Sequence, residues 1–183
     1  QERPRLLSFG CSTGEEVFTL RRYFPTAEIL GLDINPWAIA QCRKRLAAMG
    51  GDPRIHFEQA ANLDGQADAS FDAILCMAVL RHGDLSAEGI RRCDPILYFT
   101  DFVRVVGEME RCLVPGGLLS IMHSHFRFKD TASAARFETV LAVSLPTAKP
   151  LPPLFGPDNL RLGDEPYLEA VFRKYTESTA CRT

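Results

Sequence analysis

An α/β fold with a mostly parallel, doubly wound sheet is predicted by three features of this chain. Short apolar runs recur at residues 6–9, 28–33, 54–60, 72–79 and 118–123. Segments with helical spacing of apolar residues lie between several of them. A glycine-bearing loop, Gly10-Cys11-Ser12-Thr13-Gly14, joins the first run to the first helix. Strands that alternate with helices pair in parallel, because each helix carries the chain back across the sheet.

The elements follow in order. Leu6 to Phe9 read as a buried strand. A helix runs from Gly14 to about Phe24, with Val17, Leu20 and Phe24 on one face, and Pro25 ends it. Glu28 to Asp33 form the second strand. The next helix starts at Asn35-Pro36, a good cap followed by a residue suited to the first turn. Ile39, Cys42, Leu46 and Met49 keep helical spacing, and Gly50-Gly51 closes it. Residues 54–60 are the third strand. The continuous apolar run 72–79 suits a central strand buried on both faces. Phe102, Val105, Val106, Met109 and Leu113 mark a helix before a Pro-Gly-Gly turn, and Leu118 to His123 form the fifth strand. Residues 131–145 fit either a helix or a strand. Alternation of Phe137, Thr139, Leu141, Val143 and Leu145 favours a strand, paired with a last one near 170–175. The proline-rich stretch between them reads as a long irregular loop, either functional or a connector. The expected sheet therefore has about seven strands, with an antiparallel pair at its C-terminal end.

A chain of 183 residues, 46% hydrophobic and 24% charged, is expected to form one domain over residues 1–183 with a sizeable core. A net charge of −2 gives no general attraction to nucleic acid. No apolar run approaches the roughly 20 residues of a membrane span, and no signal peptide opens the chain. The six cysteines show no C-x-x-C spacing, so they suggest neither a zinc knuckle nor a redox motif. Their apolar settings fit buried thiols in a reducing, cytoplasmic compartment.

The glycine loop carries the chemistry. Strand, tight loop, helix, strand and a terminal carboxylate, Asp33, make a nucleoside-binding half-sheet. The carboxylate suits the two hydroxyls of a ribose. A dinucleotide needs its pyrophosphate at the helix N-terminus. Here that first turn carries Glu15 and Glu16, which repel phosphate, and the spacing is Gly10-x-Ser12-x-Gly14 rather than G-x-G-x-x-G. A ligand with a ribose and no phosphate fits better. S-adenosylmethionine is such a ligand, and it carries a positive sulfonium.

Four segments, taken in order over roughly residues 5 to 122, resemble the class I S-adenosylmethionine-dependent methyltransferases. Leu6 to Gly14 is similar to that family's first motif. Asp33 falls where the family has its ribose-binding acid. Phe71 to His82 resembles the fourth-strand motif, and Arg111 to Ile121 the Leu-x-Pro-Gly-Gly turn into the fifth strand. The resemblance implies a Rossmann-like fold, the cofactor S-adenosylmethionine, and Ile34 against the adenine face. The usual acid two residues before the first glycine is here Ser8, and a usual glycine is Ser12. The usual Asp near the adenine aligns with Ala60, which leaves the Ala61 backbone and Asn62 to meet the base. The string Gly10-Cys11-Ser12-Thr13-Gly14-Glu15-Glu16 is also similar to the chemotaxis-receptor glutamate methyltransferases. Family members usually have a segment before the first strand, so a native N-terminal segment that completes the acceptor pocket is expected to be missing here.

Ligands of open α/β sheets bind beyond the C-terminal ends of the strands. That rule selects Phe9, Gly10, Cys11, Ser12 and Gly14, then Asp33 and Ile34, Ala61 and Asn62, and Met77 as the cofactor-binding set. His82 is the candidate general base, because imidazole titrates near neutrality and Asp84 stands two residues on. His123 and His125 fall on one side of an extended segment, but two ligands make no metal site, which leaves substrate contact or structural filling. The Met77-Ala78-Val79-Leu80 string lacks the Asn/Asp-Pro-Pro-aromatic motif of amino-methylating DNA enzymes. Cys76 lacks the proline that precedes the nucleophile of cytosine-C5 enzymes. Both points argue against methylation of nucleic-acid bases. The expected activity is methyl transfer to a small-molecule acceptor, at O or N. A protein carboxyl methyltransferase, a non-catalytic S-adenosylmethionine-binding module and a nicotinamide dehydrogenase are the alternatives.

Overall fold

The computed structural model describes residues 3–144, 152–163 and 166–176. Seven strands form one sheet: β1 (Arg5–Phe9), β2 (Glu28–Asp33), β3 (Ile55–Gln59), β4 (Phe71–Met77), β5 (Leu113–Met122), β6 (Phe137–Ala142) and β7 (Glu169–Lys174). Their order is β3-β2-β1-β4-β5-β7-β6. The first five are parallel, while β7 runs antiparallel to both β5 and β6. This is the doubly wound, Rossmann-like sheet with an antiparallel end that the sequence predicts.

Among the described residues three α-helices cover it: α1 (Glu15–Tyr23), α2 (Pro36–Ala48) and α3 (Phe99–Cys112). Strand alternation decides which side each one meets. Leu6, Ile29, Ile55 and Phe57 pack with Val17, Phe18 and Leu20 of α1 and Ile39 and Cys42 of α2. Leu7, Leu32, Ile74 and Cys76 face the other way, onto Phe102, Val105, Val106 and Met109 of α3. Asn35 caps α2 as expected, its Oδ1 accepting from Trp37 N at 3.0 Å and Ala38 N at 3.4 Å. The free carbonyls at the end of α3 are met from β7, where Lys174 Nζ donates to Glu110 O at 2.6 Å and Leu113 O at 2.8 Å.

Several boundaries differ from expectation. β4 stops at Met77, because Ala78 adopts φ 60° and turns its N–H onto Met122 O at 2.9 Å. β5 starts before the Pro-Gly-Gly turn, and its register against β4 jumps there from Phe71↔Leu113 to Ala73↔Leu118. Residues 128–136 form 3-10 turns, and the strand reading holds for Phe137–Ala142. The expected apolar face of that strand does not form. β6 is an edge strand with register shifts around Leu141, so Phe137 is buried while Leu141 is exposed. Leu145 lies outside the described residues.

Candidate functional site

The strand order reverses at β1, between β2 and β4, and this switch point opens at the C-terminal ends of the strands. The Gly10–Gly14 loop lies across it. Gly10 N and Cys11 N both donate to Leu32 O at 2.8 Å, so the loop folds back over the end of β2. Gly10 has φ 75°, and a Cβ there would lie 2.3 Å from Val79 Cγ2. Glycine is therefore required twice over, for the left-handed backbone and for contact with the segment that leaves β4.

Asp33 ends β2 at the open edge of this loop. Its Oδ2 accepts from Ser12 N at 2.8 Å and its Oδ1 from Asn35 N at 2.8 Å. Each oxygen keeps a further lone pair for a ligand hydroxyl. Ile34 follows with 68% of its surface exposed, an apolar platform held from below by Gln59 Nε2 on its carbonyl at 3.3 Å. Ala60 N donates to Asp33 O at 3.1 Å, which brings the turn holding Ala61 and Asn62 beside them. The Asn62 amide is spent locally, since Nδ2 donates to Asp64 Oδ2 at 2.6 Å and Oδ1 accepts from Asp64 N at 3.3 Å.

Not every selected residue turns its side chain to the site. Phe9 alternates onto the α3 face and is buried in that core. Cys11 is buried against Gly31 and the thiol of Cys42, and burial pushes its own thiol up to about 12. These two reach the switch point through their backbones. Met77 is half-buried, its Sδ accepting from Ser120 Oγ at 3.7 Å. His82 caps a 3-10 turn (Gly83–Ser86): its Nδ1 accepts from Asp84 N at 3.3 Å. That contact occupies the lone pair which a neutral ring with a proton on Nε2 would use as a base.

His123 and His125 part company. His123 has φ 54° and stays exposed, whereas His125 is fully buried. The reason is the left-handed turn at His123, which breaks the alternation expected of an extended strand. The His125 ring lies between two carbonyls, Nδ1 at 2.7 Å from Pro153 O and Nε2 at 3.0 Å from His82 O. It ties the loop after β4 to the proline-rich segment. That segment walls a second depression, a cavity of about 440 Å³ between the end of β5 and the start of β7.

A family described as a methyltransferase domain matches residues 2–149. The chain belongs to this family. It is 30% identical over 149 residues to trans-aconitate 2-methyltransferase of Deinococcus radiodurans, covering 76% of this chain and 48% of the relative. It is 31% identical over 139 residues to ribosomal RNA small subunit methyltransferase C of Shewanella loihica, covering 75% and 36%. The chain thus spans less than half the length of either. A similar solved structure is the Haemonchus contortus phosphoethanolamine N-methyltransferase 2 in complex with S-adenosyl-L-methionine. Its TM-score is 0.51 at 18% identity, with 65% of this chain and 24% of that one covered.

In this methyltransferase domain the serine of β1 meets a carboxylate from α1. Ser8 is fully buried, and its Oγ donates to Glu16 Oε1 at 2.6 Å. Burial raises the Cys76 thiol of β4, and the Glu16 carboxylate adds to that rise. The sequence reading used Glu16 only as a first-turn charge that repels phosphate. The available signal was a serine in place of the β1 acid, with a glutamate two residues past the loop.

Burial raises the Glu16 carboxyl above its ordinary value of 4.5. The folded chain therefore holds this proton more tightly than the unfolded chain does. Ionised Glu16 costs no stability below the unfolded value, and the cost grows as pH rises from there through the folded value. Glu16→Gln keeps an acceptor for Ser8 and removes the charge. It is expected to raise the melting temperature more at pH 8 than at pH 4. Equal shifts at the two pH values in thermal melts would refute the buried-carboxylate account.

Proposed function

We propose that this domain transfers a methyl group from S-adenosylmethionine to a small-molecule acceptor, at O or N. The observation that carries this reading is the acidic rim of the switch point. Asp33 presents a carboxylate suited to ribose hydroxyls, and Glu16 one suited to an α-ammonium group. Glu15 and Glu16 in the first turn of α1 disfavour the pyrophosphate of a dinucleotide. Ile34 offers an apolar face to the base, while the backbones of Gly10, Cys11, Ser12 and Ala61 and the side chain of Met77 complete the donor site. The chemistry that S-adenosylmethionine supplies when bound is an electrophilic methyl group on a good leaving group. The chain then has to hold the acceptor in line with that group and exclude water.

Relatives named for trans-aconitate and demethylmenaquinone support a small acceptor, and one named for ribosomal RNA raises a second reading. Met77-Ala78-Val79-Leu80 after β4 and the net charge of −2 weigh against RNA. A cytoplasmic location fits five cysteines that are buried and free among the described residues. No helix among those residues is long and apolar enough to cross a membrane. Calorimetric titration tests the donor. S-adenosylhomocysteine is expected to bind at micromolar concentration and NAD not at all. Binding of NAD, or failure of S-adenosylhomocysteine to bind, would overturn the reading. Transfer of labelled methyl to RNA in preference to a small-molecule extract would favour the second one.

A further inference from the structure

The cavity between β5 and β7 has a chemistry of its own. Its volume of about 440 Å³ lies within the range of small-ligand sites, roughly 300–1,000 Å³. Ile121, Phe126, Pro153, Leu154, Leu162 and Leu168 make its walls apolar. Arg161 and Glu169 bring one charge of each sign. That pair gives no net positive field with which to hold several carboxylates.

The cavity adjoins the proposed donor site. Met122, which lines it, pairs with Met77 of β4. Ser124 Oγ and His125 N both donate to Leu80 O, at 3.3 Å and 3.0 Å, so the end of β5 is stitched to the loop after β4. Val79 of that loop touches Gly10. From β1 to β5 is two strand spacings, about 10 Å.

Two titratable rings line the cavity: Tyr167, whose hydroxyl accepts from Lys129 N at 3.4 Å, and His123. His123 is held at φ 54° by Ala78 N on Met122 O before it and His125 N on Leu80 O after it. A left-handed non-glycine residue costs free energy and persists where its surroundings hold it, often at a working site. His82 is not among the lining residues, and its Nδ1 faces Asp84 N.

We infer that this cavity is the acceptor site, that it takes an apolar molecule bearing an acidic hydroxyl of the phenol type, and that His123 receives the hydroxyl proton. The inference rests on the methyl-transfer reading. A neutral hydroxyl is a poor nucleophile and gains from a base at its side. The hydroxyl oxygen forms the new O–C bond as the C–S bond of the donor breaks. The electron pair leaves on sulfur, and the proton passes to a ring nitrogen of His123 and on to water.

The test uses 2-naphthol as probe, followed by its fluorescence, with S-adenosylhomocysteine binding measured in parallel. Saturable 2-naphthol binding is expected, with no displacement by trans-aconitate. Leu168→Asp, which puts a charge in the wall, should weaken it about tenfold or more and leave S-adenosylhomocysteine affinity unchanged. Leu162→Asp makes the same test from another wall residue should the first variant fail to fold. His123→Asn, whose side chain tolerates the left-handed backbone, assigns the His123 ring resonance by its disappearance. In the parent protein 2-naphthol should shift that resonance and leave that of His82 in place. Absent or non-saturable binding, binding that survives both wall variants, displacement by trans-aconitate, or a response at His82 instead would each overturn the assignment. If 2-naphthol binds and S-adenosylhomocysteine does not, the donor reading falls, and the acceptor role falls with it.

Discussion

Asp33→Ala is expected to weaken S-adenosylhomocysteine binding roughly 10- to 150-fold, the equivalent of about 1.5–3 kcal/mol for hydrogen bonds to a charged acceptor. Both oxygens of this carboxylate already hold backbone N–H groups, of Ser12 and Asn35. Those two bonds are solvent-exposed, so water replaces the lost acceptor and the fold loses less than the ligand does. The N–H of Ser12 would also lose the group that holds the loop open beside β2. Calorimetry alongside a thermal melt separates the two effects. Unchanged affinity in a folded Asp33→Ala protein would remove the ribose role.

Gly10→Ala is expected to cost stability for two separable reasons. An alanine in the left-handed region costs about 1–2 kcal/mol. Its Cβ also enters the space of Val79, only 2.3 Å from Cγ2, and overpacking of that kind adds about 1–3 kcal/mol. Val79 is β-branched and stiff at χ1, so it cannot swing aside freely. Val79→Ala in the same chain should recover the overpacking part and leave the backbone part. Denaturant unfolding of both single variants and the double variant measures this coupling. Additive effects, with no recovery in the double variant, would show that Gly10 is needed for its dihedral alone.

The glycine loop and the acid beside it were legible because their parts are close in sequence. A buried strand, a glycine loop and an acid at the end of the next strand are local patterns, and hydrogen bonding set Asp33 where the pattern put it. Orientation was less legible. Phe9 ends β1 and Cys11 lies in the loop, yet alternation turns the first side chain onto the α3 face and packing against α2 turns the second inward. Asn62 was expected to meet the base and instead closes its own turn with Asp64. Glu16 was read as a helix-terminus charge, while the contact that places it, with Ser8, joins a helix to a strand.

The sequence by itself determined the sheet, its parallel core, the switch point and the family, because period, caps and turns are properties of neighbouring residues. Tertiary structure alone decided how the chain is shared out beyond β4. The proline-rich stretch carries no period, and only tertiary packing makes its residues 152–154 and 161–163 part of the wall of a cavity. Two histidines two residues apart took opposite environments through a single left-handed residue, His123. That turn is enforced by hydrogen bonds between Ala78 and Met122 and between His125 and Leu80, partners more than forty positions apart. Contacts of that range leave no period in the sequence, so the fold could be read from it and this cavity could not.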